Sequence, residues 1–390
     1  MINVGIPVVI RGDAWHGGNN YFLSLLDVLD EHAPNGFTFY CLTNRSELFT
    51  KKYSSKIIIA QCDFLVENSK RITQLCKHFQ TDIRIAYYAK KFKLDLLTHT
   101  LPGKRFTPPA LYWMPDFQHC HLPHLFNDIE LAARDKHIEI ATQRSKNILL
   151  SSHSARNDFR EFFPSYSATK AHVVQFSPHI READFDLFRR SLGAKIESAK
   201  LKSNDFFYLP NQFWMHKNHE LVLEALALVE NDFSIISTGF TEDHRNAGHF
   251  QNLMQRVNEL NLSDRFVVKG LVSREQVIHL MAESIAVINP SLFEGWSTTV
   301  EEAKAFGKTA LLSDIPVHRE QAHPKALYFD PNCASSLATL LDNAYGEKDF
   351  SMAEEYRSLD LHISRYKASR QQFAKDYLAV VKDLHSMKAS

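Results

Sequence analysis

The sequence predicts an α/β protein built from two doubly wound, Rossmann-like domains. Three observations predict it. Short apolar runs alternate with longer helical ones along most of the chain. The alternation lapses once, over 181–204, and then restarts. A length of 390 residues is also too great for one small domain at ~150 residues each.

The elements follow in order. Ile2 to Ile10 is a strand candidate, followed by a Gly/Asn-rich turn and by Tyr21, Phe22, Leu25, Leu26 and Leu29 at helical spacing. Phe37–Leu42, Lys56–Ala60, Ala110–Met114, Asn147–Ser151 and Ala171–Phe176 are further strands, with helices at about 126–143 and 152–162. The stretch 181–204 is polar and poor in strand signal, so it is expected to be an interdomain segment. Strands then return at Phe206–Leu209, Phe233–Thr238, Asp264–Leu271, Ile285–Pro290, Thr309–Leu312 and Ala326–Phe329. Residues 217–230 and the tail from about 350 read as helix. The expected domains are 1–180 and 205–364, with a closing helix at about 365–390 joining the first.

Composition excludes several classes. Lys+Arg and Asp+Glu both number 45, so bulk charge argues against a nucleic-acid binder. The five cysteines are odd in number, scattered and without a CxxC pair, which suits a reducing cytoplasm better than a disulfide framework. The N-terminus lacks the basic and apolar regions of a signal peptide, and no apolar run approaches the ~20 residues that span a bilayer. No GxGxxG occurs, which counts against a nicotinamide dehydrogenase.

In doubly wound sheets, ligands bind beyond the carboxyl ends of the strands. The richest turn there is Asn289-Pro-Ser-Leu-Phe-Glu-Gly-Trp-Ser-Thr-Thr-Val-Glu-Glu-Ala-Lys-Ala-Phe-Gly307. A helix is expected to start near Ser297, Thr298 or Thr299. Thr298-x-x-Glu301 and Thr299-x-x-Glu302 both fit a capping box. The free N–H groups at such a start form an anion site suited to phosphate. Glu294 and Glu302 frame that site, and a carboxylate can accept two hydroxyls of a sugar or ribose. The plainer alternative is that Glu302 caps and Glu294 is solvated.

Glu294 and Glu302, inside Pro-Ser-x-x-Glu-Gly and followed by Glu-Ala-x-Ala-x-Gly, resemble the signature of the retaining GT-B glycosyltransferases. That large family includes sucrose synthase and many bacterial lipopolysaccharide and capsule mannosyl- and glucosyltransferases. The resemblance implies two Rossmann-like domains facing a central cleft. It implies that Glu302 binds the ribose and Glu294 faces the transferred sugar. Gly295, Trp296 and Ser297 would present amides to sugar hydroxyls, and Thr298 and Thr299 would lie by the diphosphate.

Other segments resemble the same family. In Tyr208-Leu-Pro-Asn-Gln-Phe-Trp-Met-His-Lys-Asn-His219, Lys217 stands where the family places a phosphate-binding lysine. Gln212 stands where it usually has an arginine, and it can donate a hydrogen bond but carries no charge; Arg274 or Lys269 could supply the missing cation. Gly17 and Gly18, in Gly12-Asp-Ala-Trp-His-Gly-Gly-Asn-Asn-Tyr21, would approach the donor diphosphate and the acceptor. Gly270, Leu271 and Val272 would meet the nucleobase. In Trp113-Met-Pro-Asp-Phe-Gln-His-Cys-His-Leu-Pro-His124, the resemblance implies that His119, with Asp116 nearby, acts beside the reacting sugar. A competing reading takes His119, His121 and His124 as zinc ligands; the family needs no metal for its chemistry.

The implied activity moves a sugar, mannose or glucose, from a UDP- or GDP-sugar to a hydroxyl of a glycan or lipid-linked glycan, with retention of configuration and no resident cofactor. Surface polysaccharide or glycolipid synthesis, in the cytoplasm or at the inner face of the membrane, is the expected setting. Alternatives are an epimerase or hydrolase on the same scaffold and a non-catalytic sugar-nucleotide-binding subunit. Lys90-Lys91-Phe92-Lys93 and Lys104-Arg105 offer peripheral contact with anionic lipid, or else a solvated face.

Overall fold

The computed structural model describes residues 1–10, 16–145, 147–198, 205–243 and 245–389. The chain forms two compact units: Met1–His179 with Ala368–Ser390, and Ile180–Lys367.

The first unit holds seven parallel strands: β1 (Ile2–Val8), β2 (Phe37–Thr43), β3 (Ile57–Gln61), β4 (Leu96–Thr98), β5 (Ala110–Met114), β6 (Asn147–Leu150) and β7 (Lys170–Val173). Their order is β3-β2-β1-β4-β5-β6-β7. The order reverses between β1 and β4, which makes their carboxyl ends a topological switch point. β4 escapes sequence reading because it is only three residues long. A run that short has no period to detect.

The second unit holds β8 (Phe206–Leu209), β9 (Ser234–Ser237), β10 (Phe266–Val268), β11 (Val287–Asn289), β12 (Ala310–Ser313) and β13 (Ala326–Phe329). Their order is β10-β9-β8-β11-β12-β13, again all parallel. Strands covered on both faces read as continuous apolar runs, and β8, β11 and β12 are buried along their whole length. The switch point here lies between β8 and β11, so the turns leaving these two strands stand side by side.

The segment 181–204 is not a bare linker. Glu182–Ser198 is an α-helix belonging to the second unit, with Phe185, Phe188 and Leu192 in its core. Phe188 stacks on Phe306 with ring centroids 4.7 Å apart. Glu182, Asp186, Arg190 and Glu197 are exposed and mask three well-spaced apolar residues, while Asp184 and Lys195 are themselves buried. The last helix is continuous from Lys348 to Ala389. Its residues from Ala368 onward belong to the first unit, where the Tyr377 hydroxyl lies 2.7 Å from Thr98 Oγ1.

Candidate functional site

The site is built from the turns that leave β8 and β11. Pro290 follows β11, and the chain turns through Ser291–Trp296 before the helix Thr298–Phe306. Ser297 is the N-cap, its side chain accepting from Val300 N. The expected capping boxes are not formed. Glu301 instead accepts from Lys304 Nζ at 2.7 Å and from Gln321 Nε2 at 3.0 Å, while Glu302 pairs with Arg274. The N-cap is Ser297 rather than Thr298 or Thr299, and the two carboxylates are taken up by these other partners. The amides of Thr298 and Thr299 therefore have no intrahelical acceptor. At the other end, Gly307 adopts φ +68° and closes the helix by donating to Ala303 and Lys304 carbonyls.

The turn after β8 runs from Pro210 through a 3-10 turn at Met215–Lys217 to Asn218. The two turns are stitched together. Leu292 N donates to the His216 carbonyl at 2.8 Å, and Asn218 Nδ2 donates to the Pro290 carbonyl at 3.2 Å. Asn289, wholly buried at the end of β11, links more of them. Its amide nitrogen donates to Ser297 Oγ at 2.8 Å, and its oxygen accepts from Ser291 Oγ at 2.7 Å and from Asn211 Nδ2 at 3.3 Å.

This framework brings Lys217 to Glu294, Nζ to Oε1 at 2.5 Å, both largely buried. Ser291 Oγ also donates to Glu294 Oε1, at 2.7 Å. Burial alone would raise the Glu294 carboxyl. The Lys217 ammonium, with His216 and His318 nearby, overrules it and holds the group at about 2. His216 and His318 are buried in turn. Burial pushes His216 well below its ordinary value and His318 down to about 4, so both are neutral imidazoles at neutral pH.

A second pair joins the helix Thr298–Phe306 to the turn after β10. Arg274 opens the helix Arg274–Glu283, which Ser273 and Gln276 cap as a box. Its guanidinium donates to Glu302 Oε1 at 2.5 Å and lies 3.4 Å from Asp184 Oδ2. Glu302 therefore sits in an ionic setting rather than in the apolar interior. Gly270 takes φ +65° just after β10, its carbonyl accepting from Gly239 N at 2.9 Å, and Leu271 is 58% exposed. Lys269 is exposed. Gly239, at φ +148°, is obligatory: a Cβ there would lie 2.4 Å from the Asn211 carbonyl oxygen. Gln212 is half-buried in the β8 turn. Arg245, not singled out from sequence, lies over the Trp214 ring at 5.7 Å to the centroid, next to the lysine-bearing turn. Its signal is hidden in a polar loop after β9.

The remaining candidates lie in the first unit. The segment Gly12–Trp15 lies outside the described residues. Gly17 and Gly18 are not in an open turn but inside the first turns of the helix His16–His32. His119 is in a short helix, Gln118–His121, with Nε2 3.3 Å from Asp135 Oδ1. Burial, then the Arg134 charge, lowers its pKa; Asp135 and Asp116 oppose them. His121 pairs instead with Asp158 at 2.9 Å, and His124 is exposed. Among the described residues no cluster of three or more His, Cys, Asp or Glu is arranged to hold a metal.

Comparison with known proteins bears on this geometry. Residues 194–358, nearly the whole second unit, match the model of the family described as Glycosyl transferases group 1. Over 207 residues the chain is 24% identical to the O-antigen chain mannosyltransferase RfbU of Salmonella typhimurium, covering 53% of each protein, so the match spans about half the length of that relative. Among solved structures, the sucrose-phosphate synthase of Thermosynechococcus elongatus aligns with a TM-score of 0.72 at 14% identity, covering 98% of this chain and 100% of that one. Anabaena Alr3699/HepE in complex with UDP gives 0.68 at 14%, covering 97% and 100%. WaaG, a glycosyltransferase involved in lipopolysaccharide biosynthesis, gives 0.63 at 13%, covering 94% and 98%. The fold is GT-B.

Proposed function

We propose that this protein transfers a glycosyl group from a nucleotide-diphosphate sugar to an acceptor hydroxyl, with retention of anomeric configuration. The observation that carries the reading is the Lys217–Glu294 pair beside the uncapped amides of Thr298 and Thr299, at the switch point of the second sheet. A buried ion pair is a poor source of stability, since desolvation offsets its attraction. It is a good way to hold a cation and a carboxylate ready for a polar ligand.

Breaking the bond between the anomeric carbon and the diphosphate sends the electron pair to phosphate oxygen. Lys217 and the helix start stabilise that charge. Lys217 and Ser291 both address Oε1 of Glu294, so Oε2 is the oxygen offered to sugar hydroxyls. Glu302, oriented by Arg274, receives the ribose hydroxyls, and the backbone from Gly270 to Val272 meets the base. Gly295, Trp296 and Ser297 line the sugar. The acceptor oxygen bonds the anomeric carbon on the face the phosphate leaves, and its proton passes to the departing phosphate. In this reading His119 acts beside the reacting sugar, and Gly17 and Gly18 approach the donor diphosphate and the acceptor. The relative RfbU favours a mannosyl donor and a polysaccharide acceptor, and HepE with UDP makes UDP-sugars part of the same screen.

Lys217→Ala and Glu294→Gln are each expected to lower turnover of labelled UDP-glucose or GDP-mannose on the order of a hundredfold, by analogy with loss of one oxyanion donor. Turnover near the wild-type rate in both variants rejects the reading. Gln212 in place of an arginine favours one rival, a subunit that binds sugar nucleotide without turnover. Binding of UDP or GDP, with no sugar released or transferred in the presence of acceptor pools, would establish that rival instead.

A further inference from the structure

Asp184 lies in the first turn of the helix Glu182–Ser198, in a segment whose composition predicts only a connection between domains. It is a carboxylate, yet it is 2% exposed. Four donors address it. Its Oδ1 accepts from Arg181 Nε at 3.1 Å and Nη2 at 2.7 Å. Its Oδ2 accepts from Arg181 N at 3.2 Å and from Arg274 Nε at 3.4 Å. Burial alone would raise its pKa; the hydrogen bonds from Arg181 and the Arg274 charge overrule it and lower the group instead. Three of the four bonds are explained by the helix itself. An acidic side chain in the first turn can reach back to the backbone amide at the helix start, and Arg181 supplies both that amide and a local guanidinium. The fourth bond serves nothing in the helix. It reaches 90 residues along the chain, to the guanidinium whose Nη1 donates to Glu302 Oε1 at 2.5 Å.

The three side chains stand on three helices that are packed together within the second unit. Ser191 Oγ lies 2.7 Å from His279 Nδ1, which joins the helix Glu182–Ser198 to Arg274–Glu283. Phe185 and Phe188 meet Phe306 with ring centroids 5.0 and 4.7 Å apart, which joins it to Thr298–Phe306. Packing therefore fixes the backbone positions of Asp184, Arg274 and Glu302. The Arg274 side chain is the adjustable part, being long and 29% exposed. A guanidinium is a planar fork whose separate N–H groups can hold two carboxylates at once. With Nε turned to Asp184, Nη1 keeps one direction toward Glu302.

We propose that Asp184 is a positioning residue for the ribose of the donor nucleotide. It fixes Arg274, and Arg274 holds one oxygen of Glu302 so that the other meets the ribose hydroxyls. Asp184 itself touches no ligand. The inference rests on the reading of Glu302 as the ribose carboxylate, and it extends that subsite into the segment that joins the two units.

The test measures binding of UDP and GDP to the full chain by calorimetry, each against its deoxyribose counterpart. Wild-type protein is expected to prefer the ribose form of its nucleotide by about tenfold, the size of one hydrogen bond to a charged group. Asp184→Asn keeps an oxygen for the Arg181 amide and removes the charge. It should cut that preference several-fold while the deoxyribose form binds nearly as before, and Asp184→Glu should restore part of it. Asp184→Asn combined with Arg274→Gln should lose no more preference than Arg274→Gln alone, because both changes act through Glu302. Circular dichroism checks folding, and Asp184→Ser takes the place of an Asn variant that does not fold. Full preference in the folded Asp184 variant, equal weakening of both nucleotide forms, or additive losses in the double variant overturns the proposal and leaves the glycosyltransferase reading standing. Wild-type protein that binds both forms equally takes Glu302 away from the ribose and also overturns it, while sugar transfer by the same preparation would keep that reading. Binding of neither UDP nor GDP overturns both.

Discussion

Asn289 shows how a residue outside the proposed reacting groups can hold them in place. Its side chain bonds Asn211, Ser291 and the N-cap Ser297, so one amide registers the lysine-bearing turn, the glutamate-bearing turn and the helix start. Replacing it with leucine leaves those buried groups unpaired, at a cost of ~2–4 kcal/mol. Asn289→Leu is therefore expected to lower Tm by several degrees. In a protein that remains folded, it should also lower kcat more than it raises KM for the donor, because the ligand groups are present but misplaced. Unchanged Tm and kcat would show that Asn289 does not hold the site. The residues proposed to act are easier to find than their partners. Lys217, Glu294 and Asn289 lie in the quoted motifs, whereas Arg245 and Gln321 carry no local mark. An arginine in a polar loop or a glutamine in a short helix reads the same whether or not it supports a site.

At the scale of the element, the helix Thr298–Phe306 is defined at both ends by single residues. Ser297 opens it and Gly307 closes it, and a strand that ends in Asn-Pro before a Ser/Thr cluster makes the start legible. Gly307 also has a tertiary role that no pattern reveals. A Cβ at this position would lie 2.4 Å from His362 of the long last helix, in a backbone conformation that already disfavours side chains. Gly307→Ala should destabilise the second unit by more than ~1 kcal/mol, the usual cost of a left-handed alanine alone. Pairing the change with a smaller residue at 362 (His362→Ala) should recover part of the loss. An alanine variant as stable as wild type in a urea titration would refute the packing account. The helix Glu182–Ser198 was obscured for the opposite reason. Its surface charges dominate its composition, and its apolar face becomes evident only where it meets Phe306.

For the whole molecule, buried histidines set the response to acid. Burial lowers His318 to about 4 and His99, His219 and His323 to about 3, against an ordinary 6.5. Above pH 6.5 these groups are neutral folded or unfolded and cost nothing. As pH falls below 6.5, only the unfolded chain takes the proton, and each such histidine costs ~2 kcal/mol by pH 5. Glu294 acts in a lower window. Its contribution is complete above 4.5 and is lost only as pH falls toward about 2. Thermal unfolding should therefore fall steeply between pH 6.5 and 5, before the carboxylates titrate. Three of the four histidines lie in the second unit, which should melt first. A flat Tm across that interval would contradict these burial effects.

Periodicity, capping and turn chemistry act over a few residues, so the sequence by itself determined two runs of alternating strands and helices, most strand positions, and the segments that carry the motifs. Only the tertiary structure decided that Lys217 meets Glu294 across 77 residues, that Arg274 rather than a capping amide holds Glu302, and that Gly17 and Gly18 lie within a helix. Those pairings depend on which strands become neighbours and which buried charges find one another. That is a property of the packed sheet and its low-dielectric interior, and local sequence does not encode it.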